Sequence, residues 1–128
     1  MRLTVQTSPG EFLDKITILE IKSERITDPA KLANVRRELA LLRATWAASP
    51  LAAREVPDLL ATLKALNEAL WDIEDRIRAL EAGGRFDGEF IELARSVYRT
   101  NDRRTAVKRE LNLLLGSDLI EEKSYTDY

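Results

Sequence analysis

The sequence predicts an all-α protein, an antiparallel up-down-up-down four-helix bundle, on the strength of two observations. All five glycines and all four prolines fall at candidate helix ends, where they punctuate the chain. Between those ends, apolar residues recur at alternating spacings of three and four, the period of an amphipathic helix. The predicted helices cover residues 9–26, 29–48, 58–82 and 88–115 of a single 128-residue domain, and their short connections favour antiparallel neighbours.

Capping residues mark the ends of these predicted helices. Ser8 stands three residues before Glu11, which is the spacing of a capping box. Asp28 and Asp87 occupy the same place ahead of the second and fourth helices. The glycine pair at residues 83–84 predicts a left-handed cap at the end of the third helix.

Polar residues interrupt the apolar stripe in the middle of the fourth predicted helix. The spacing that places apolar residues at both ends lands on Thr100 and Arg104, and Asn101 lies beside them. Polar residues on a core face cost free energy unless they are paired, and such breaks concentrate at functional sites. The sequence therefore predicts that these three side chains point toward the other helices.

An antiparallel register across residues 83–87 brings further polar and aromatic residues to this level. We expect Tyr98 to lie near Trp71 and Lys15 near Lys108. Glu20 is expected at the same level along the bundle axis as Arg104. The amide, guanidinium, ammonium and aromatic groups suit a carboxylate or phosphate and a stacked ring or sugar. The predicted ligand-binding residues are Glu20, Asn67, Trp71, Glu74, Tyr98, Asn101, Arg104 and Lys108.

Three interpretations of this polar set stay open at the level of sequence. In the first, it is a paired layer that fixes helix register, with Glu20 or Glu74 bridged to Arg104 or Arg95. In the second, it forms a pocket for a small anionic molecule. In the third, it marks a partner-binding or homodimer surface.

Composition narrows the classes of function. The chain has no cysteine and no histidine. It therefore lacks the residues for thiolate chemistry, for the usual general base and for nearly every zinc site. We predict no metal and no cofactor, and the sequence identifies no catalytic residue. A net charge of −2 argues against nucleic-acid binding. The longest uncharged stretch has ten residues, 44–53, which predicts no membrane insertion and, with the lack of cysteine, a cytoplasmic location.

The two ends of the chain are ambiguous. Residues 2–6 alternate apolar and polar side chains, a weak strand signal. Residues 119–125 could pair with them as a small β-ribbon, or both ends could be frayed.

Three segments resemble a known bacterial family of small helical proteins that is catalogued only as a domain of unknown function. They are SPGEFLDKITILEIK at residues 8–22, NEALWDIED at 67–75 and ARSVYRTND at 94–102, and the ending EEKSY at 121–125 fits as well. The resemblance implies a sugar-related setting, because relatives tend to accompany glycosyltransferase and surface-polysaccharide genes. It implies no reaction.

Two functions follow as hypotheses. The first is a non-catalytic accessory or interaction module, self-associating as a homodimer, in a polysaccharide or nucleotide-sugar setting. The alternative is an enzyme or sensor that binds a small anionic ligand in a polar cleft between helices.

Overall fold

A computed structural model describes all 128 residues and shows an all-α protein. The elements are α1 (Pro9–Arg25), α2 (Pro29–Ala47), a short 3-10 helix (Pro50–Ala53), α3 (Pro57–Ala82) and α4 (Gly88–Leu114). Each α-helix begins and ends within one residue of the bounds expected from the sequence. The all-α class with four helices is thus confirmed. None of the four helices combines the length and the apolar character that crossing a bilayer requires.

Two of the three predicted N-caps form. The Ser8 hydroxyl accepts a hydrogen bond from the backbone N–H of Glu11 at 3.2 Å. The Asp28 carboxylate accepts one from the backbone N–H of Lys31 at 2.9 Å. Asp87 occupies the N-cap of α4, but its side chain forms no capping hydrogen bond. Each cap that forms satisfies one of the free N–H groups of a first helical turn.

Glycine ends both long helices in a left-handed conformation. Gly84 after α3 has a φ of +65°, and Gly116 after α4 has a φ of +70°. After α3, the backbone N–H of Arg85 donates to the carbonyl of Leu80 at 2.8 Å, which completes a Schellman motif. Such a positive φ is readily adopted by glycine, which has no Cβ.

Helix α1 is the centre of the fold. It packs against all three other helices, and α3 also packs against α4. Helix α2 approaches only α1 and the short 3-10 helix. The regular up-down-up-down bundle, in which every helix meets its neighbours in sequence, is therefore not confirmed. The buried apolar core comprises Leu13, Ile16, Leu19, Leu39, Leu63, Leu111 and Leu115.

Helices α1 and α4 come close enough to exclude a side chain at one position. The backbone N–H of Gly10 donates to Oδ1 of Asn112 at 2.7 Å. A Cβ atom on Gly10 would lie 2.5 Å from the carbonyl oxygen of Lys108. Residue 10 therefore fixes how tightly the first turn of α1 sits on the last turns of α4.

The two ends of the chain do not form a ribbon. The structure contains no strand, and residues 2–6 and 119–125 have no regular secondary structure. Residues 117–128, called the tail from here on, instead run back along α4. Glu121 pairs with Lys108 at 3.0 Å, and the Lys123 ammonium donates to the Thr105 hydroxyl at 3.0 Å. Of the two alternatives that the sequence leaves open, the β-ribbon is therefore absent, and the acidic tail contacts the basic helix α4 through its side chains.

Gly10→Ala is expected to lower the free energy of unfolding by about 2 kcal/mol, because the new methyl group must push α1 away from α4. Urea denaturation measures the change. Gly88→Ala is the matched control, since a Cβ at that helical position meets nothing within 4 Å. The control should leave stability unchanged or raise it by up to about 1 kcal/mol. Equal effects of the two substitutions would contradict the close approach.

Candidate functional site

A buried carboxylate on α1 organises the polar interior. Asp14 is only 2% exposed. Both of its oxygens accept hydrogen bonds from Arg104 of α4, one from Nε at 3.0 Å and the other from Nη2. From α3, Nδ2 of Asn67 donates to Asp14 at 2.8 Å and to the Thr17 hydroxyl at 2.9 Å. These four residues, the Asp14 cluster, therefore join three helices at one point.

Further hydrogen bonds within the chain support the Asp14 cluster. The Thr17 hydroxyl donates to the backbone carbonyl of Asp14 at 2.8 Å, one turn earlier in α1. The hydrogen bond that Arg104 donates to Asp14 raises the pKa of Arg104, although burial acts in the opposite direction. The guanidinium thus stays charged at any ordinary pH. No buried side-chain nitrogen or oxygen in the chain lacks a partner.

A second cluster surrounds Lys108, one turn further along α4. Its Nζ lies 2.6 Å from Glu11 of α1 and 3.0 Å from Glu121 of the tail. Burial alone would lower the pKa of Lys108, but the hydrogen bonds that its ammonium donates to Glu11 and Glu121 outweigh burial and raise the pKa. The same contact lowers the pKa of Glu121. Lys15, expected beside Lys108, instead pairs with Glu38 of α2 at 3.0 Å.

The polar stretch of α4 points inward, as the sequence predicts. Thr100 is 8% exposed, and the Arg104 side chain reaches the buried Asp14. Asn101 is half-buried, and its Oδ1 accepts a hydrogen bond from Nη1 of Arg104 at 3.3 Å. The structure therefore brings together three predicted ligand-binding residues, Asn67, Asn101 and Arg104, but around a carboxylate of the chain itself.

Two further predicted residues lie nearby on α3, at the surface. The guanidinium of Arg25 lies 5.7 Å above the ring centre of Trp71 and pairs with Asp72 at 2.5 Å. Glu74 pairs with Arg78 at 3.2 Å on an exposed face. Both predicted residues border a groove of about 580 Å³, the Trp71 groove, whose lining is Ile18, Ile21, Asn67, Leu70, Trp71, Glu74, Asp75, Arg78 and Arg104.

Glu20 lies elsewhere than expected. It pairs with Arg43 at 3.3 Å and with Lys64 at 3.9 Å, rather than with Arg104. Six positions separate Glu20 from Asp14, which rotates it by about 240° around α1. Glu20 consequently faces α2 and α3. The expected bridge from Glu20 or Glu74 to Arg104 is wrong.

The same expectation fails for Arg95. That residue pairs with Glu92 of its own helix at 2.5 Å. Neither Glu20 nor Glu74 reaches it. The paired polar layer exists, but its acid is Asp14.

Tyr98 also departs from the expected arrangement. Its ring stacks edge-on against Tyr128 of the tail, with 5.1 Å between centroids, and not against Trp71. Tyr98 and Asn101 border a separate groove of about 1440 Å³ between α4 and the tail. This tail groove is lined by Val97, Tyr98, Asn101, Asp102, Thr105, Ala106, Arg109 and residues 123–128. The predicted constellation is therefore divided. Four of its residues line the Trp71 groove, Tyr98 and Asn101 line the tail groove, and Glu20 and Lys108 line neither.

Sequence reasoning missed Asp14 and Thr17, although a signal for them exists. The two residues are three apart, and Ile21 follows four residues later, so all three share a helical face. All three residues on this face are buried, and each is only 2% exposed. A broad apolar face on α1, interrupted by one acid, would have marked Asp14 as the partner for an inward arginine.

Comparison with known proteins places the chain in a family. Residues 3–127 match a family of unknown function, DUF6165. The chain belongs to this family. No curated protein and no solved structure matches it. The function of this family is unknown, so the geometry of the DUF6165 chain carries the functional argument.

The structure contains no group of three or more carboxylates that could hold a metal ion. The buried acid Asp14 and the two acids beside Lys108, Glu11 and Glu121, each lie against an arginine or lysine.

Arg104→Ala is expected to lower the free energy of unfolding by about 3 kcal/mol, because it leaves the carboxylate of Asp14 buried without a cation. Arg78→Ala is the control, since Arg78 is exposed and pairs only with Glu74 on the same helix face. Its cost should stay below about 0.5 kcal/mol. Chemical denaturation of the three proteins compares them, and a cost below about 1 kcal/mol for Arg104→Ala would contradict the role of the pair.

Glu121→Gln should change how the free energy of unfolding depends on pH. The hydrogen bond to Lys108 lowers the pKa of Glu121 from its usual value of 4.5. The ionised Glu121 therefore stabilises the fold above pH 4.5, and this stabilisation is lost as the pH falls through the folded-state pKa. The natural chain should therefore exceed Glu121→Gln in stability at neutral pH and lose that advantage below pH 4. Urea titrations from pH 3 to pH 7 measure the difference, with Glu122→Gln as an exposed control. A difference independent of pH would contradict the pairing.

Proposed function

We propose that this DUF6165 chain is a non-catalytic helical interaction module that self-associates as a homodimer. In this proposal it is a cytoplasmic accessory in a polysaccharide or nucleotide-sugar setting. The setting rests on the sequence resemblance described above. The module role rests on the geometry of the polar interior.

The bidentate pairing of Arg104 with Asp14 carries the proposal. An arginine that recognises a ligand carboxylate or phosphate offers its fork of donors to that ligand. Here Nε and Nη2 are directed to Asp14, and Nη1 donates to Asn101. The inward polar residues thus form hydrogen bonds with one another and hold α1, α3 and α4 in register. This pairing favours a scaffold over a binding cavity.

Exposed apolar side chains at the α3–α4 turn support self-association. Phe86 and Ile91 are 56% and 55% exposed. Phe86 packs edge-on against Phe90, with ring centroids 5.3 Å apart, so the turn presents a small aromatic surface. Clustered exposed apolar groups are typical of protein contact sites.

Sedimentation equilibrium tests self-association. The natural chain is expected to form dimers, and the double variant Phe86→Ser/Ile91→Ser is expected to weaken them about tenfold, because it removes apolar surface from the contact. Leu113→Ser is the matched control, since Leu113 is 66% exposed at the opposite end of α4. A natural chain that stays monomeric at all concentrations would contradict the homodimer.

The alternative function is binding of a small anionic ligand, by an enzyme or sensor, in the Trp71 groove. What favours it is that four predicted residues, Asn67, Trp71, Glu74 and Arg104, line this one groove. What weighs against it is the pair of acids in the lining, Glu74 and Asp75, which offset its two arginines.

A thermal-melting screen separates the two functions. Phosphates, nucleotides, nucleotide sugars and dicarboxylates are each added to the purified chain. Because a ligand that binds only the folded state raises the melting temperature, the interaction-module proposal expects no shift from any of them. A shift that Trp71→Ala removes, while Trp46→Phe on α2 retains it, would establish the ligand-binding alternative.

A further inference from the structure

Beyond Ser117, whose backbone N–H donates to the carbonyl of Asn112 at 2.9 Å, the tail is attached to α4 by its side chains alone. No backbone–backbone hydrogen bond involves residues 118–128. Glu121 and Glu122 pair with Lys108 and Arg109, at 3.0 Å and 3.3 Å. Further along, the Tyr128 hydroxyl donates to Asp102. Because residue numbers fall on α4 as they rise on the tail, the tail is an extended segment that runs antiparallel to the helix.

The tail spans its groove without filling it. An open groove of about 1440 Å³ is bordered by residues 123–128 and by the face of α4 formed by Tyr98, Asn101, Thr105 and Arg109. Residues 121–128 are all exposed, so the tail leaves this groove open to solvent. Side chains of another molecule can therefore enter the groove beside the tail.

Two cations of α4 have no acidic partner. Arg99 and Arg103 are exposed, stand one turn apart on α4, and form no ion pair within 4 Å. Arg99 lies close enough to Tyr128 to act on it electrostatically. The tail thus brings its two glutamates to one end of the face, while Arg99, beside the other end, and Arg103, one turn further along α4, have no acidic partner.

We propose that this face of α4 docks an extended, acidic, tyrosine-bearing segment of a partner protein, and that the tail is the intramolecular occupant that such a segment displaces. The tail itself shows which chemistry the face accepts: carboxylates on Lys108 and Arg109, and a tyrosine against Tyr98. This inference rests on the proposed role as an interaction module and names its partner class.

Displacement of the tail leaves no buried charge without a partner. Lys108 keeps Glu11 at 2.6 Å when Glu121 departs. The pair between Arg109 and Glu122 is exposed on both sides, and pairs of this kind contribute little to stability. A competing segment that also engages Arg99 and Arg103 would gain contacts that the tail does not make.

A labelled synthetic peptide of residues 118–128 provides the probe. Its binding to the full chain is measured by fluorescence polarisation, for the natural sequence and for the double variant Glu121→Gln/Glu122→Gln, whose own tail is weakened. Loss of two ion pairs from the competing tail should tighten peptide binding roughly three- to tenfold. A peptide with both glutamates replaced by glutamine should bind each chain roughly three- to tenfold more weakly, since it loses the same two ion pairs.

A matched pair of charge variants locates the binding. Added to the weakened-tail chain, Arg99→Gln/Arg103→Gln should weaken peptide binding roughly three- to tenfold, since it removes the two cations of α4 that have no acidic partner. Arg36→Gln/Arg37→Gln removes the same charge from exposed positions of α2 and should leave binding unchanged. Equal losses from both pairs, or equal affinity of the natural and weakened-tail chains, would overturn the inference.

Sedimentation of the same samples separates this inference from the proposed function. Failure of the peptide to bind a chain that still forms dimers overturns only the docking face. Peptide binding by a chain that stays monomeric supports the docking face and counts against the homodimer. Dimers that disappear in Glu121→Gln/Glu122→Gln would show tails exchanged between copies, and the proposed external partner would then be wrong.

Discussion

The pairing of Asp14 with Arg104 is the constraint on which the rest of the structure depends. A carboxylate this deeply buried is tolerable only with a cation and hydrogen-bond donors in place, because an isolated buried charge costs several kcal/mol, about the net stability of a whole domain. The cation comes from α4 and the donor, Asn67, from α3. Only one register of α1, α3 and α4 brings these groups together, so a single acid fixes how three helices align.

The cations of α4 divide according to what each one faces. Arg104 and Lys108 point inward and neutralise acids from α1. Arg95 and Arg109 pair at the surface, with Glu92 and with Glu122 of the tail. The remaining two, Arg99 and Arg103, have no acidic partner. One helix therefore carries both the interior charge that stabilises the fold and the surface charge that is free to meet another molecule.

The arrangement of helices matches this division of roles. The polar clusters and both grooves on α4 involve α1, α3, α4 and the tail, whereas α2 packs against α1 and the short 3-10 helix. Leu39 is the one buried residue of α2, and the rings of Phe12 and Trp46 stack with centroids 6.0 Å apart. Helix α2 thus completes the apolar core beside α1 and lines neither of the two grooves.

The sequence by itself determined the four helices, most of their caps and the inward direction of Thr100 and Arg104. These features depend on hydrogen bonds and periodicity within a few residues, which are local properties of the chain. Only the tertiary structure decided that Asp14 is the partner of Arg104, that Glu20 faces α2 and α3, and that the tail lies along α4. Each of these outcomes depends on how a helix is rotated about its own axis and on which distant segment reaches it, and both are set by the packing of the whole chain.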